Sequence, residues 1–128
     1  MVWYLDTSAF LKLIVSEEES KAMRTWFTSH GPIWSSQFLQ TEAIRASNRL
    51  GVATEIVTTV LDSISMVLPS RTTFYAASSL LAVGLRALDA LHLASAIEIG
   101  DDLDGIVTYD MRMIQAAGAL SIAVATPT

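Results

Sequence analysis

The chain has 128 residues, 52% of them hydrophobic, which suits one compact domain with a sizeable core. Cysteine is absent, which excludes disulfides and thiolate metal sites and is compatible with a reducing cytoplasm. No apolar run reaches the ~20 residues of a membrane helix, and the first residues lack the basic start and long apolar core of a signal peptide, so a soluble protein is expected; a net charge of −5 argues mildly against nonspecific nucleic-acid binding, which grows from phosphate neutralisation.

In chain order the pattern predicts a strand over 2–5, helices near 7–15 and 18–29, a strand over 33–35, helices near 37–50 and 53–66, and a short extended piece at 67–69. Helices near 73–83 and 89–99, a strand over 105–109, a helix over 111–117 and a strand over 121–124 follow. Gly31-Pro32, Gly51, Pro69, Gly84, Gly100 and Gly118 fall at the breaks. Short, almost wholly apolar strands alternating with helices predict a parallel sheet covered on both faces. The helix pair spanning 37–66 is expected to stand apart as a hairpin. Trp3, inside a strand, and Trp26 and Trp34, flanking a turn, are expected to pack in the core rather than stack on bases, and Met111 and Met113 to fill it.

Four carboxylates stand where these elements begin or end: Asp6, Glu42, Asp89 and Asp110. Asp6 closes the run Val2-Trp3-Tyr4-Leu5 and Asp110 closes Ile106-Val107-Thr108-Tyr109, so both are expected at the carboxyl edge of the sheet, where ligands of open parallel sheets bind. Each taken singly also reads as a helix N-cap, and the two readings stay open. Glu42 shares a helical face with Phe38, Leu39 and Ala46, which brings its carboxylate to the margin of the buried stripe. An intrahelical pair with Arg45 would contribute only ~0.2–0.5 kcal/mol, whereas a metal counter-ion would make the partial burial tolerable. Asp89 lies in the first turn of a helix rich in small residues, where dipole stabilisation is the bland alternative. His92, one turn later, and His30 in Ser29-His30-Gly31-Pro32 have no second histidine nearby, so His92 is expected to be packed or hydrogen-bonding rather than a metal ligand.

The succession Leu5-Asp6-Thr7-Ser8-Ala9, Glu42-Ala43-Ile44-Arg45, Leu85-Arg86-Ala87-Leu88-Asp89-Ala90-Leu91-His92-Leu93-Ala94-Ser95-Ala96 and Val107-Thr108-Tyr109-Asp110-Met111-Arg112-Met113 resembles the PIN-domain ribonucleases, in particular the VapC toxins of prokaryotic toxin-antitoxin pairs. The third and fourth blocks are the specific ones, and the resemblance covers nearly the whole chain. It implies a three-layer α/β/α fold with a short central parallel sheet and a protruding helical hairpin that takes part in dimerisation. It implies one or two Mg²⁺ or Mn²⁺ ions on Asp6, Glu42, Asp89 and Asp110, with Ser8 and Thr108 orienting carboxylates, water or phosphate. It also implies a metal-dependent endoribonuclease that is held in check by a small antitoxin of the VapB type and is a homodimer.

Glu17-Glu18-Glu19 and Asp101-Asp102-Leu103-Asp104 hold six of the thirteen acids and read as a helix start and a solvated loop. Of the eight basic residues, Lys12, Arg45, Arg49 and Arg112 are placed to form a rim that would hold phosphates around the acidic centre, and ordinary surface ion pairs account for them equally well. A phosphoacceptor domain is disfavoured because there is no acidic pair after the first strand and no lysine beyond Lys21. An Asp-x-Asp phosphatase fails because Ser8 stands two after Asp6. The remaining alternative is a non-catalytic PIN-fold metal-binding, RNA-binding or interaction module.

Overall fold

Strands and helices alternate along the chain as β1 (Val2–Leu5), α1 (Thr7–Ile14), α2 (Ser20–Ser29), β2 (Ile33–Ser36), α3 (Phe38–Leu50), α4 (Thr54–Leu61), β3 (Ser65–Val67), α5 (Arg71–Ser78), α6 (Ala87–Glu98), β4 (Leu103–Val107), α7 (Met111–Ala119) and β5 (Val124–Ala125). The computed structural model describes residues 1–80 and 84–128; the helix expected near 73–83 is α5, which runs from Arg71 and ends at Ser78 with Ser79 as its cap, while residues 81–83 of that expectation lie outside the described residues. The strands form one parallel sheet in the order β3-β2-β1-β4-β5.

Successive residues of a strand point to opposite faces, and here both faces are covered. Leu5 and Val107 enter one layer with Phe10, Met23, Leu39 and Val57, while Tyr4 and Ile106 enter the other with Leu93, Ala96, Met113 and Ala117. This two-sided burial gives the three-layer α/β/α architecture and explains why the central strand β1 is wholly apolar. Each fully buried large apolar side chain contributes about 1.5–3 kcal/mol. The parallel arrangement also sends every strand's carboxyl end to one edge, so that the residues following β1 and β4 meet there.

Several elements differ from the sequence reading, for reasons that involve contacts distant along the chain. The helix expected over 53–66 stops at Leu61, because Ser65, Met66 and Val67 pair with Trp34, Ser35 and Ser36 as an edge strand. The strand expected over 105–109 runs instead from Leu103 to Val107 in register with β1, which releases Thr108 and Tyr109 from the ladder. The last strand is the short Val124–Ala125, paired with Ile106 and Val107. The start of α2 is set by Ser20, whose hydroxyl accepts from the Glu17 N–H and donates to the Val15 carbonyl.

The α3–α4 pair does not stand wholly apart. Leu39, Ala43, Val57 and Leu61 are buried against Leu5 and Phe10, and the exposed part is the turn around Gly51, whose left-handed φ of 73° ends α3. Trp3 and Trp26 pack half-buried on this core with their rings edge-on at 5.3 Å, and Trp34 is half-buried. Met113 fills the other core layer as expected, but Met111 is 64% exposed. At 3.6 residues per turn, two positions along α7 turn Met111 to the solvent side when Met113 faces inward.

Gly105 marks the tightest approach in the sheet. A Cβ there would lie 2.5 Å from the Ala123 carbonyl oxygen and 2.6 Å from the Trp3 ring. Because one obstacle is backbone, Gly105→Ala is expected to cost about 1–3 kcal/mol of stability through overpacking, read as a lower urea midpoint at unchanged slope.

Candidate active site

The residues that leave β1 and β4 are tied together by hydroxyl groups. Asp6 is the N-cap of α1: its Oδ1 accepts the Ala9 N–H at 3.1 Å and the Ser8 hydroxyl at 2.7 Å, while Oδ2 accepts the buried Thr108 hydroxyl. The Thr108 oxygen in turn accepts the Asp110 N–H at 3.1 Å, and the Ser8 oxygen accepts the Tyr109 N–H at 2.9 Å. Asp110 caps α7 through its Oδ1 and the Arg112 N–H. Both strand-end acids are therefore caps, and both also lie on the single edge where the two strand ends converge. Capping uses only part of their acceptor capacity, since an ionised carboxylate offers about four lone-pair sites.

Glu42, on the second turn of α3, has partners other than the neighbouring Arg45. Its Oε1 accepts the Thr7 hydroxyl at 2.6 Å and lies 2.9 Å from His92 Nε2. His92 is 2% exposed and its Nδ1 is 2.7 Å from the buried Tyr4 hydroxyl, so it is packed and hydrogen-bonded as expected. Tyr4 and Thr7 were not singled out from the sequence. The available signal was parity: Tyr4 lies two residues before Asp6 and shares its side of the strand. Asp89 stands in the first turn of α6, close enough to Asp110 and Glu42 to feel both charges.

These environments push the acids apart in acidity. Burial raises the Asp6 carboxyl above its ordinary value, against hydrogen bonds from Thr108, Ser8 and Ala9 that favour ionisation. Asp89 is also raised, first by burial and then by the negative charges of Asp110 and Glu42. For Glu42 burial acts upward, but the hydrogen bonds from His92 and Thr7 outweigh it and hold the carboxyl below its usual range.

Among the described residues, no three acidic or histidine side chains already converge on one point able to hold a metal ion. Asp6 and Asp110 direct oxygens to their capping partners, and Glu42 directs Oε1 to His92 and Thr7. The donor chemistry still fits a hard divalent cation. All four candidates are oxygen ligands, the second oxygen of Glu42 has no hydrogen-bond partner among the described residues, and a cation would relieve the repulsion that raises Asp89.

The basic residues divide. Arg45 and Arg49 line an open groove of about 450 Å³ beside Glu42 and Thr7, with Leu11, Phe38 and Leu88 forming its apolar wall. Arg112 is exposed, with its side chain running past Gly84. Lys12 is different: its ammonium sits 2.6 Å from Glu17 and 2.8 Å from Glu19 and lies over the Tyr109 ring, so two carboxylates already neutralise it. Glu17 and Glu19 thereby gain a structural partner that the reading of a solvated helix start did not supply.

Because Asp6 and Asp89 are raised, the folded metal-free protein binds more protons than the unfolded chain between the ordinary value of 3.8 and their folded values; stability falls as pH rises through that window. Glu42 acts oppositely, and its contribution is lost as pH falls below 4.5 through its lowered folded value. In thermal unfolding with chelator, the stability of Asp6→Asn relative to the parent is expected to rise as pH increases above 3.8 and then to level off. Thr108→Val, which strips a partner from Asp6 and leaves the Asp110 N–H without its acceptor, is expected to cost about 1–3 kcal/mol in urea unfolding.

Comparison with known proteins places the chain in a family. Residues 3–119 match the PIN domain model. The chain is 38% identical over 126 residues to ribonuclease VapC46 of Mycobacterium tuberculosis, covering 98% of this chain and 97% of that one. It is 39% identical over 132 residues to ribonuclease VapC35 of the same species, covering 97% and 96%. Its fold superposes on the crystal structure of M. tuberculosis VapC20, a sarcin-ricin loop cleaving toxin, with a TM-score of 0.78 over 98% of this chain and 99% of the other, at 15% identity. The two strand ends, the two helix-borne acids and these matches together establish that the chain belongs to the PIN domain family and, within it, to the VapC ribonucleases.

Proposed function

We propose that this protein is a metal-dependent endoribonuclease, the toxin of a type II toxin-antitoxin pair. The observation that carries the reading is the meeting of Asp6, Glu42, Asp89 and Asp110 at one sheet edge, with Asp89 raised by burial and by its acidic neighbours, in a chain that belongs to the VapC ribonucleases. Asp6, Glu42, Asp89 and Asp110 would hold one or two Mg²⁺ or Mn²⁺ ions. A bound ion of this kind supplies a water of lowered pKa and neutralises charge developing on phosphate oxygens.

The protein's own residues do the positioning. Ser8 and Thr108 hold the Asp6 carboxylate between the ends of β1 and β4, and Thr7 and His92 hold that of Glu42. Arg45 and Arg49, in the groove that opens beside Glu42, grip phosphates adjoining the scissile one, with Arg112 on the opposite strand end. Lys12 braces the loop between α1 and α2 rather than binding RNA, because its charge is already matched. In-line attack of water forms the new P–O bond and breaks the bond to the 3′ oxygen, leaving a 5′-phosphate and a 3′-hydroxyl. Unpaired loops are the preferred substrate, since their phosphates and base edges are accessible.

The same acidic edge suits a small antitoxin of the VapB type that would place a basic side chain among the carboxylates in competition with metal. A homodimer is part of the proposal, the exposed turn of the α3–α4 pair with Leu50 and Ile56 being available for it.

Purified, antitoxin-free protein is expected to cut RNA into discrete fragments with Mg²⁺ or Mn²⁺ and not with EDTA. Asp6→Asn and Asp89→Asn, prepared identically, are expected to be at least about 100-fold slower, since even loss of groups behind a metal ligand costs 10–100-fold. Stabilisation by Mn²⁺ without cleavage would instead identify a PIN fold retained for binding. Replacing Arg45 or Arg49 by Gln is expected to raise KM with little change in kcat, and to flatten the dependence of binding on log salt by about 0.7 for each phosphate that is no longer neutralised.

A further inference from the structure

The chain Tyr4, His92, Glu42 runs from the buried middle of the sheet to the half-buried acidic edge, and its proton arrangement can be assigned. The Tyr4 hydroxyl is 2.7 Å from His92 Nδ1, and His92 Nε2 is 2.9 Å from Glu42 Oε1 and 3.1 Å from the Thr7 hydroxyl. Thr7 has one proton, and at 2.6 Å it gives that proton to Glu42 Oε1. Towards His92 the Thr7 oxygen can therefore only accept, and an ionised carboxylate also only accepts. Nε2 must then be the donor.

With a single proton on the ring, Nδ1 carries a bare lone pair, and its partner must donate. Tyr4 does so, because burial raises its phenol above the ordinary value of 10.0 and keeps its proton in place. The opposite tautomer would set a nitrogen lone pair against a carboxylate oxygen at 2.9 Å. The ring cannot swing away, since Phe38 lies on one side at 4.4 Å between centroids and Tyr4 edge-on at 5.7 Å.

We propose that His92 is a positioning residue: locked by Tyr4 as the Nε2–H tautomer, it holds Oε1 of Glu42 and thereby presents Oε2 alone to the cation as a single-oxygen ligand. Glu42 Oε1 is consequently occupied and the side chain aimed before a cation arrives. The role of His92 rests on the reading of Glu42 as a metal ligand; the tautomer does not.

The test has two arms. Long-range proton–nitrogen NMR of the metal-free protein at neutral pH is expected to show His92 protonated at Nε2 and bare at Nδ1, and Tyr4→Phe to mix the two tautomers; an Nδ1–H ring in the parent would overturn the assignment. Calorimetry with Mn²⁺ alone is expected to show a loss of about 10–100-fold in affinity for His92→Leu. His92→Gln, which can return a donor near the Nε2 position, should recover most of that loss, and a purely structural histidine would show no such recovery. If His92→Leu fails to fold, Tyr4→Phe carries this arm, and unchanged affinity there would overturn the inference. Should Asp6→Asn and Glu42→Gln bind Mn²⁺ as tightly as the parent, the metal site itself is refuted; should they lose it while the His92 variants keep it, the positioning role alone falls.

Discussion

The Thr108 hydroxyl is the contact on which the acidic edge depends. It donates to Asp6 and accepts from the Asp110 N–H, so one buried side chain ties the carboxyl ends of two parallel strands that are a hundred residues apart in sequence. Ser8 closes the same junction from the other side by taking the Tyr109 N–H and donating to Asp6. Neighbouring strands alone would bring the two ends near each other. The hydroxyl bridges decide how the two acids face, and they do so without adding positive charge that would neutralise the site.

Among the described residues, no lysine or arginine side chain bonds to Asp6 or Glu42. The partners of Asp6 are two hydroxyls and one amide, and those of Glu42 are a hydroxyl and an imidazole nitrogen. Lys12, the basic residue nearest to Ser8 on α1, is drawn to Glu17 and Glu19. The site thus keeps negative charge in a partly desolvated place, which is unfavourable in isolation and becomes favourable on binding a cation. The surplus acidity of the chain bears on the proposed function in the same way: Arg45 and Arg49 in the groove, with a bound cation, would offset the repulsion that RNA meets.

Folding and chemistry share the same residues. Tyr4 sits in the core layer with Leu93 and Ile106 and also touches His92, so packing of the inner sheet face is coupled to the orientation of Glu42. Gly105 lets β5 and the Trp3 ring close upon β4, the strand that delivers Thr108 and Asp110. Precision at the edge therefore comes from short strand-to-helix connections held between packed elements and tied by the Thr108 and Ser8 hydroxyls.

Much of this was legible in the residues themselves. Apolar runs ahead of Asp6 and Asp110 marked β1 and β4, Gly31-Pro32, Gly51, Pro69, Gly84 and Gly100 marked breaks whereas Gly118 lies inside α7, and the spaced acids marked the family and the candidate site. Glu42 was flagged by its place beside an apolar stripe, but a local rule suggested Arg45 as partner, whereas His92, fifty residues away, holds it. Edge-strand pairing shortened the helix expected over 53–66, and strand register released Thr108 to become a bridge. Local propensity and periodicity depend on neighbours a few residues apart, so they are written in the sequence. Strand register, the proton on His92 and the matching of Lys12 depend on groups that meet only after the sheet has formed, and those the tertiary structure alone decided.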